Sequence, residues 1–318
     1  MKIWLLFSGS LEPENSEAMA CFRLKEEAEK IGHQVEILNP EHFDLLVDST
    51  DDWQATYQGA EIQAPDLIIP RTGSETTYTG FALMRFYESM GVPLLNSSRA
   101  VEIAADKLYS QQILAAHKIP LPKTILGRFP ADLDLIERQI GFPVVVKTLS
   151  GTRGGGVFLA ETRQKFRDLT DLIAETNSNV HFIFQQYVKQ SHGRDLRVFC
   201  VDGKVLACME RNAVDWSLKS NISLGGVGKP HPVTPEIEKI ALQISSVLGM
   251  DVAGIDLLFN NKGYLVCEVN SAPDFTGPVG MEAACSINVA RYIILAGVAK
   301  TTRHKGLWSR LRKLSSVA

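Results

Sequence analysis

The sequence predicts a mixed fold, α/β in its first third and α+β thereafter, and three observations carry that reading. Apolar runs of strand length alternate with amphipathic helical stretches over residues 1–105. Two later pairs of strand-like runs turn back on themselves, one about Asp202-Gly203 and one near Lys262. The 318 residues exceed the usual size of one domain, so two or three structural units are expected.

The elements follow in order. "KIWLLF" reads as a buried strand, "SEAMACFRLKEEAEKIG" as a helix ending at Gly32, "HQVEILN" as a second strand and "APDLIIPRTG" as a third. The polar "STDDWQATYQGAEI" between the last two is a loop or small hairpin. "GFALMRFYESMG" is a helix and "VPLLNSS" a short strand, which completes an N-terminal parallel α/β unit over 1–105. A middle unit spans 106–185. "SRAVEIAADKLYSQQILAAHKIPLP", which leads into it, gives one or two helices, "FPVVVKTLSG" a strand opening into a glycine-rich turn, "TRQKFRDLTDLIAET" a helix and "VHFIFQQYVKQ" a strand. A third unit covers 186–300: a hairpin about Asp202-Gly203, a helix with Thr234 as cap and Pro235 at its first position, a second hairpin "AGIDLLFNNKGYLVCEVN", and a final helix "INVARYIILAGVA". The tail, 301–318, carries five Lys/Arg and no acid, and reads as a solvated helix or a contact for an anionic partner.

Composition bounds the function. The formal net charge of −3 gives no general attraction to nucleic acid or acidic membranes. No stretch approaches the ~20 apolar residues of a membrane span. The opening apolar run is short, lacks a small-residue cleavage site and is followed by acidic, polar sequence, so a strand is expected there, not a leader. Five scattered cysteines without a C-x-x-C pair argue against a disulfide framework or structural zinc and suit reduced thiols in a cytoplasmic protein.

The chemistry starts at "YLVCEVNSAPDF". Side chains two apart in a strand share a face, so Glu268 and Asn270 point the same way, and the turn near Lys262 sets Asp256 approximately opposite Glu268. Two unpaired carboxylates on one sheet face repel, and a hard divalent cation resolves this. A solvated face with incidental acids is the alternative. Such a cation commonly bridges to phosphates. The candidate cradle is "VVVKTLSGTRGGGVFLA", where Lys147 ends a strand and Gly151, Gly154, Gly155 and Gly156 let backbone N–H groups approach an anion; otherwise the stretch is a mobile hairpin. It matches neither the P-loop nor the dinucleotide fingerprint. Lys107 is a second possible phosphate partner or an ordinary helix lysine. Asp195 and Arg197 share a strand face, and Arg211 ends the partner strand. The polar stretch 217–229 reads as a loop that either carries Asn221 towards the same centre or is merely solvated.

In their order, "PRTGSETTYTG", "NSSRAVEIAADKLYSQQILAAHKIPLPKT", "GFPVVVKTLSGTRGGGVFLAET", "FIFQQYVKQSHGRDLRVFCVDGKVLACMERN", "KSNISLGG" and "DVAGIDLLFNNKGYLVCEVNSAP" resemble the ATP-grasp superfamily, and within it the RimK-type carboxylate–amine ligases that include α-L-glutamate ligases. The resemblance covers residues 1–295. It implies an ATP-grasp fold, with ATP between two α+β subdomains. Lys107 and Lys147 would touch phosphates and the loop 151–156 would close over them. The adenine would rest at the hinge of Gln185, Gln186, Tyr187, Val188 and Lys189, with Asp195 near the ribose. Asp256, Glu268 and Asn270 would hold two Mg²⁺ or Mn²⁺ ions. Arg197 and Arg211 would face the transferred phosphoryl group or a substrate carboxylate, with Asn221 close by.

The implied reaction phosphorylates a carboxylate with ATP, and the amine of an amino acid, L-glutamate by resemblance, then displaces phosphate. The acceptor is a small-molecule or peptide carboxylate, and a dimer or tetramer is expected. Three departures qualify the likeness. The hinge reads "QQY" where the family commonly has "QEY". "NSAPD" places Asp274 where glycine is frequent. "ISLGG" replaces "LHRGG" of members that modify ribosomal protein, which favours a small peptide or metabolite acceptor. Another amino acid, repeated addition, or a nucleotide-binding regulator without turnover are the competing readings.

Overall fold

The computed structural model describes residues 1–12, 15–49, 53–149, 156–176, 181–213, 226–277 and 279–315. Strand β1 (Lys2–Leu6) is the middle strand of a parallel sheet, and its apolar run follows from being covered on both faces. Helix α1 (Ser16–Lys30) begins where Asn15 Oδ1 accepts from Glu17 N at 3.0 Å, and returns the chain to β2 (Gln34–Leu38). The polar segment resolves as a small antiparallel sheet of β3 (Phe43–Leu46), β4 (Gln54–Tyr57) and β5 (Ala60–Glu61). Its aromatic residues pack on the first sheet: Phe43 lies 5.6 Å from the Trp4 ring. Strand β6 (Leu67–Pro70) completes the parallel sheet, and α2 (Tyr78–Ser89) covers it.

The strand expected at "VPLLNSS" is reduced to one bridge between Ile68 and Leu94. Asn96 is the reason. Its side chain is 1% exposed and bonds to the backbone of a distant sheet. Nδ2 donates to Val252 O at 2.8 Å and Ser271 O at 2.9 Å, while Oδ1 accepts from Asp251 N at 2.7 Å and Val252 N at 2.8 Å. The segment therefore leaves its own sheet to dock the N-terminal unit on the C-terminal one. Asn96→Ala leaves four buried backbone groups without their partner and is expected to cost about 2–4 kcal/mol, read as a lowered melting temperature. A variant melting with the wild type contradicts this docking role.

Helices α3 (Ser98–Ala105) and α4 (Lys107–Ala116) are separated by Asp106, whose carboxylate caps α4 by accepting from Leu108 N and Tyr109 N. The middle sheet holds β7 (Thr124–Gly127), β8 (Val144–Thr148), β9 (Val157–Ala160) and β10 (Phe182–Gln186) in the order β7-β10-β8-β9. The short α5 (Leu133–Gln139) and α6 (Arg163–Thr176) cover it, and Ile136, Val144, Val146, Phe166 and Phe184 share their core.

The third sheet is antiparallel. Strands β11 (Arg194–Val201) and β12 (Lys204–Asn212) meet at Asp202 and Gly203, both at positive φ (46° and 70°), as a tight two-residue hairpin requires. Strand β13 (Val227–His231) joins the edge beside β12; residues 227–229, read from sequence as loop, belong to it. Pro230 is tolerated there because an edge strand has a side without ladder bonds. Thr234 Oγ1 caps α7 (Pro235–Leu248) by accepting from Ile237 N at 3.3 Å. Strands β14 (Val252–Asn260) and β15 (Gly263–Asn270) complete the order β13-β12-β11-β14-β15. After the short α8 (Met281–Cys285), α9 (Val289–Ser315) runs without a break into the basic tail.

Alternation along this sheet positions everything that follows. Leu196, Val198, Ile255 and Leu257 face α4 and α7. Phe199, Val201 and Met209 face the other way, onto the N-terminal unit and α9. Asp195, Arg197 and Asp256 lie on that second face, where the apolar contact gives way to a cavity. All five cysteines are free. Among the described residues no helix is long and apolar enough to cross a membrane.

Candidate active site

The cavity, about 540 Å³, is bounded by the middle sheet, the third sheet and the turn that follows β6. Its floor is the second hairpin. A simple continuation of the turn register, in which Asn260 pairs with Gly263, would set Asp256 against Cys267. Cys267 of β15 is bulged out opposite the step from Asp256 to Leu257, so Asp256 pairs with Glu268 and Leu257 with Val266. The bulge thereby brings two carboxylates onto one face and leaves Cys267 beside Lys147, 3.5 Å from Sγ to Nζ. Asn270 Nδ2 lies 3.5 Å from Glu268 Oε1, so the expected trio of Asp256, Glu268 and Asn270 does share a face.

Asp256 is not the unpaired carboxylate that the sequence argument assumed. Arg197 grips it with both Nε and Nη2, the latter at 2.9 Å, and Arg211 Nη2 reaches Asp256 Oδ2 at 2.9 Å. Arg211 also holds Asp195, Nε to Oδ1 at 2.8 Å. The chain Asp195–Arg211–Asp256–Arg197 alternates in sign across three strands, as the register dictates: Asp195 opposes Arg211, and Arg197 opposes Asp256. Burial alone would raise the Asp256 carboxyl, but the two guanidiniums outweigh it and hold it below its usual range. Burial likewise works against the Arg211 charge, and the two aspartates more than compensate.

Two ammonium groups face this floor. Lys147 Nζ donates to Gln185 Oε1 at 2.7 Å, and Gln185 Nε2 to Thr124 Oγ1 at 3.0 Å, so a buried amide fixes the lysine's direction. Burial opposes the Lys147 charge, yet the field of Cys267, Glu268 and Asp256 leaves its affinity for the proton raised. Lys107, at the start of α4, approaches Leu149 O at 3.5 Å; burial lowers its proton affinity, with Glu268 opposing and Lys147 adding.

A divalent cation fits this donor set. Among the described residues no group of three or more His, Cys, Asp and Glu could hold a metal alone. Two opposed carboxylates and an amide, with two lysine ammonium groups facing them, instead suit an ion such as Mg²⁺ that draws remaining ligands from phosphate and water. Asp256 must then share its oxygens with Arg197 and Arg211.

Gln186 at the end of β10 and Tyr187 and Val188 after it line the cavity, while Lys189 is exposed in the next turn and does not. Gly156 closes the β8–β9 hairpin at φ +71°, and a Cβ there would stand 2.6 Å from Thr148 Oγ1. Gly156→Ala is expected to cost about 1–3 kcal/mol and to weaken Mg·ADP binding by displacing Lys147 on the same hairpin, as melting curves and calorimetry would read. Unchanged affinity speaks against that coupling. Gly151, Gly154, Gly155 and Asn221 lie outside the described residues.

Models of two families match in series, the RimK PreATP-grasp domain over residues 1–101 and the RimK-like ATP-grasp domain over 104–296. The chain belongs to the RimK-like ATP-grasp family. Its similar relatives include the probable alpha-L-glutamate ligase of Aeromonas salmonicida, 39% identical over 92% of this chain and 95% of that one. The ribosomal protein bS6--L-glutamate ligase of Escherichia coli O7:K1 is 39% identical over 86% of this chain and 90% of its own. Among solved structures, the ATP-grasp ligase PsnB with minimal precursor, Mg and ADP aligns with a TM-score of 0.68 at 16% identity, covering 94% of this chain and 98% of that one. D-alanine--D-alanine ligase from Bacillus anthracis with ATP gives 0.69 at 18%, covering 96% and 99%. These two likenesses establish the ATP-grasp fold.

The RimK-like ATP-grasp cavity also takes residues that the sequence reading did not single out. Arg71 and the turn after it line its N-terminal side, opposite Pro273 and Asp274. The available signal was the charge of "PRTG" directly after a buried parallel strand, the end at which open α/β sheets receive ligands.

Proposed function

We propose that this RimK-like ATP-grasp enzyme joins L-glutamate through its amine to the carboxylate of a peptide or small acid, using ATP and two divalent cations, and passing through an acylphosphate. The observation that carries the reading is the convergence of Lys107 and Lys147 on Asp256, Glu268 and Asn270 within one cavity. That arrangement neutralises triphosphate on one side and gathers hard-metal ligands on the other, in a chain whose relatives are named L-glutamate ligases.

The acceptor carboxylate oxygen attacks the γ-phosphorus and ADP leaves. The glutamate nitrogen then attacks the acyl carbon, the C–O bond to phosphate breaks, and the nitrogen gives up a proton. Two anions must meet in the first step, so positioning and charge neutralisation are the site's main tasks. Asp256, Glu268 and Asn270 would hold the cations, which would supply positive charge to offset that of the phosphates. Lys107 and Lys147 would hold phosphate oxygens. Arg197 and Arg211 would face the transferred phosphoryl group or the acceptor carboxylate. Asp195 would fix Arg211, as it does here at 2.8 Å. Gln186, Tyr187 and Val188 would border the adenine.

Incubation of the purified chain with ATP, Mg²⁺, each amino acid in turn and pooled carboxylate acceptors tests the reading. Glutamate-dependent ADP release is expected, with product heavier by a glutamyl residue in mass spectrometry. ADP release stimulated by a different amino acid would replace glutamate. No release with any pool would favour a nucleotide-binding regulator.

A further inference from the structure

The part of the cavity lined by the N-terminal unit has a charge pattern of its own. Arg71 follows β6 directly, and its backbone N–H donates to Leu6 O at 2.8 Å. The side chain is 5% exposed yet lines the cavity. Nη2 donates to Pro273 O at 3.0 Å, and the guanidinium lies 5.7 Å from the Phe275 ring centroid. Nε has no hydrogen-bond partner among the described residues. No carboxylate among the described residues comes within ion-pair distance of Arg71, unlike Arg197 and Arg211. The neighbouring Cys21 thiol supplies no counter-charge, because burial pushes its pKa up to about 11. A buried guanidinium without an anion is costly, and the cost is relieved if an anion arrives with the ligand.

The anion has a neighbour of opposite sign. Asp274 lines the same end, with Oδ1 fixed by Thr276 N at 3.0 Å and Thr276 Oγ1 at 2.9 Å. Arg71 Nη2 is bonded to the carbonyl of Pro273, the residue before Asp274, and both side chains line this end of the cavity. A positive and a negative side chain lining one end of a cavity match a molecule bearing carboxylate and ammonium on one carbon.

We infer that Arg71 and Asp274 recognise the amino-acid substrate by its α-carbon head: Arg71 takes the α-carboxylate, and Asp274 holds the ammonium before it is deprotonated. This rests on the ligase reading above and assigns the amine-binding end of the cavity to the N-terminal unit and the "NSAPD" turn. It also gives the departure from glycine at Asp274 a role.

The test separates amino-acid recognition from nucleotide binding. Arg71→Met is expected to raise KM for glutamate about 100-fold, with Mg·ADP affinity by calorimetry within about twofold of the wild type. Arg71→Lys should recover part of the loss. Asp274→Asn should raise the same KM about tenfold. Isoglutamine, whose α-carboxylate is an amide, should be a poor substrate for the wild type and should not be worsened further by Arg71→Met. Unchanged glutamate KM in Arg71→Met and Asp274→Asn overturns the assignment, as does a fall in Mg·ADP affinity that matches the rise in KM. If Arg71→Met does not melt cooperatively, Arg71→Lys and Asp274→Asn carry the same comparison. If another amino acid drives turnover, the glutamate reading falls and the KM series is run on that amino acid. If none does, thermal shift of the wild type by glutamate with Mg·ADP decides, and no shift overturns the inference.

Discussion

Asp256→Ala is expected to unfold the protein on the order of 10 °C lower and to abolish turnover. The side chain is 2% exposed and is the shared partner of Arg197 and Arg211. Its removal leaves Arg197 without that bidentate pair and Arg211 with Asp195 alone. Breaking a buried ionic network by deleting one member costs about 3–5 kcal/mol, because the charges left behind are uncompensated. Asp256→Asn keeps the shape and loses the charge, so it should give an intermediate melting temperature. Because the folded carboxyl is held below its usual value, the stabilisation is present at neutral pH. It persists down to the ordinary carboxylate range near ~3.9 and is lost as pH falls through the folded value. The acid limb of the melting profile should therefore be shallower in Asp256→Asn than in the wild type. Parallel limbs would mean that Asp256 titrates alike in both states.

Glu268→Gln is expected to separate the two effects: turnover falls about a thousand-fold while the melting temperature barely moves. Glu268 opposes Asp256 in the ladder, but among the described residues its one side-chain hydrogen-bond partner is the Asn270 amide at 3.5 Å, and it forms no ion pair. A glutamine keeps the volume and one oxygen and removes the negative charge a divalent ion requires. The Mg²⁺ dependence of ADP release should shift to higher concentration with the loss of rate. Full metal-dependent activity in Glu268→Gln would refute the proposed metal site.

Local rules made much of the frame legible. Asp202-Gly203 and Thr234-Pro235 state a hairpin and a helix start in two residues each, and both are where they were expected. Period two along "CEVN" and the turn near Lys262 set Asp256 opposite Glu268, where the ladder has it. What stayed hidden depends on registers set elsewhere. The bulge that moves Asp256 from Cys267 to Glu268 has no local signature. The arginine pairing of Asp256 follows only once three strands are aligned. "VPLLNSS" has strand composition, but Asn96 finds better partners at Val252 and Ser271 than in its own sheet. The seven residues of α5 are too few for periodicity to mark.

The long α9 carries a consequence for how the chain reaches its native state. Ala290, Ile293, Ile294 and Ala296 close the same core as Ile3, Leu5, Leu67 and Ile69, and a Cβ added at Gly297 would stand 2.6 Å from Leu67 Cδ2. The N-terminal sheet thus waits for residues more than two hundred positions downstream before one of its faces is dry. The middle unit, whose core draws on residues 125–184, closes on its own sequence, as does the other face of the N-terminal sheet, whose core draws on residues 4–101. Loops this long delay pairing. An N-terminal fragment ending at residue 105 is expected to expose that sheet face and aggregate, while adding α9 as a separate peptide restores solubility. The two ends of the chain are one folding unit, and the segment between them is the part free to fold early.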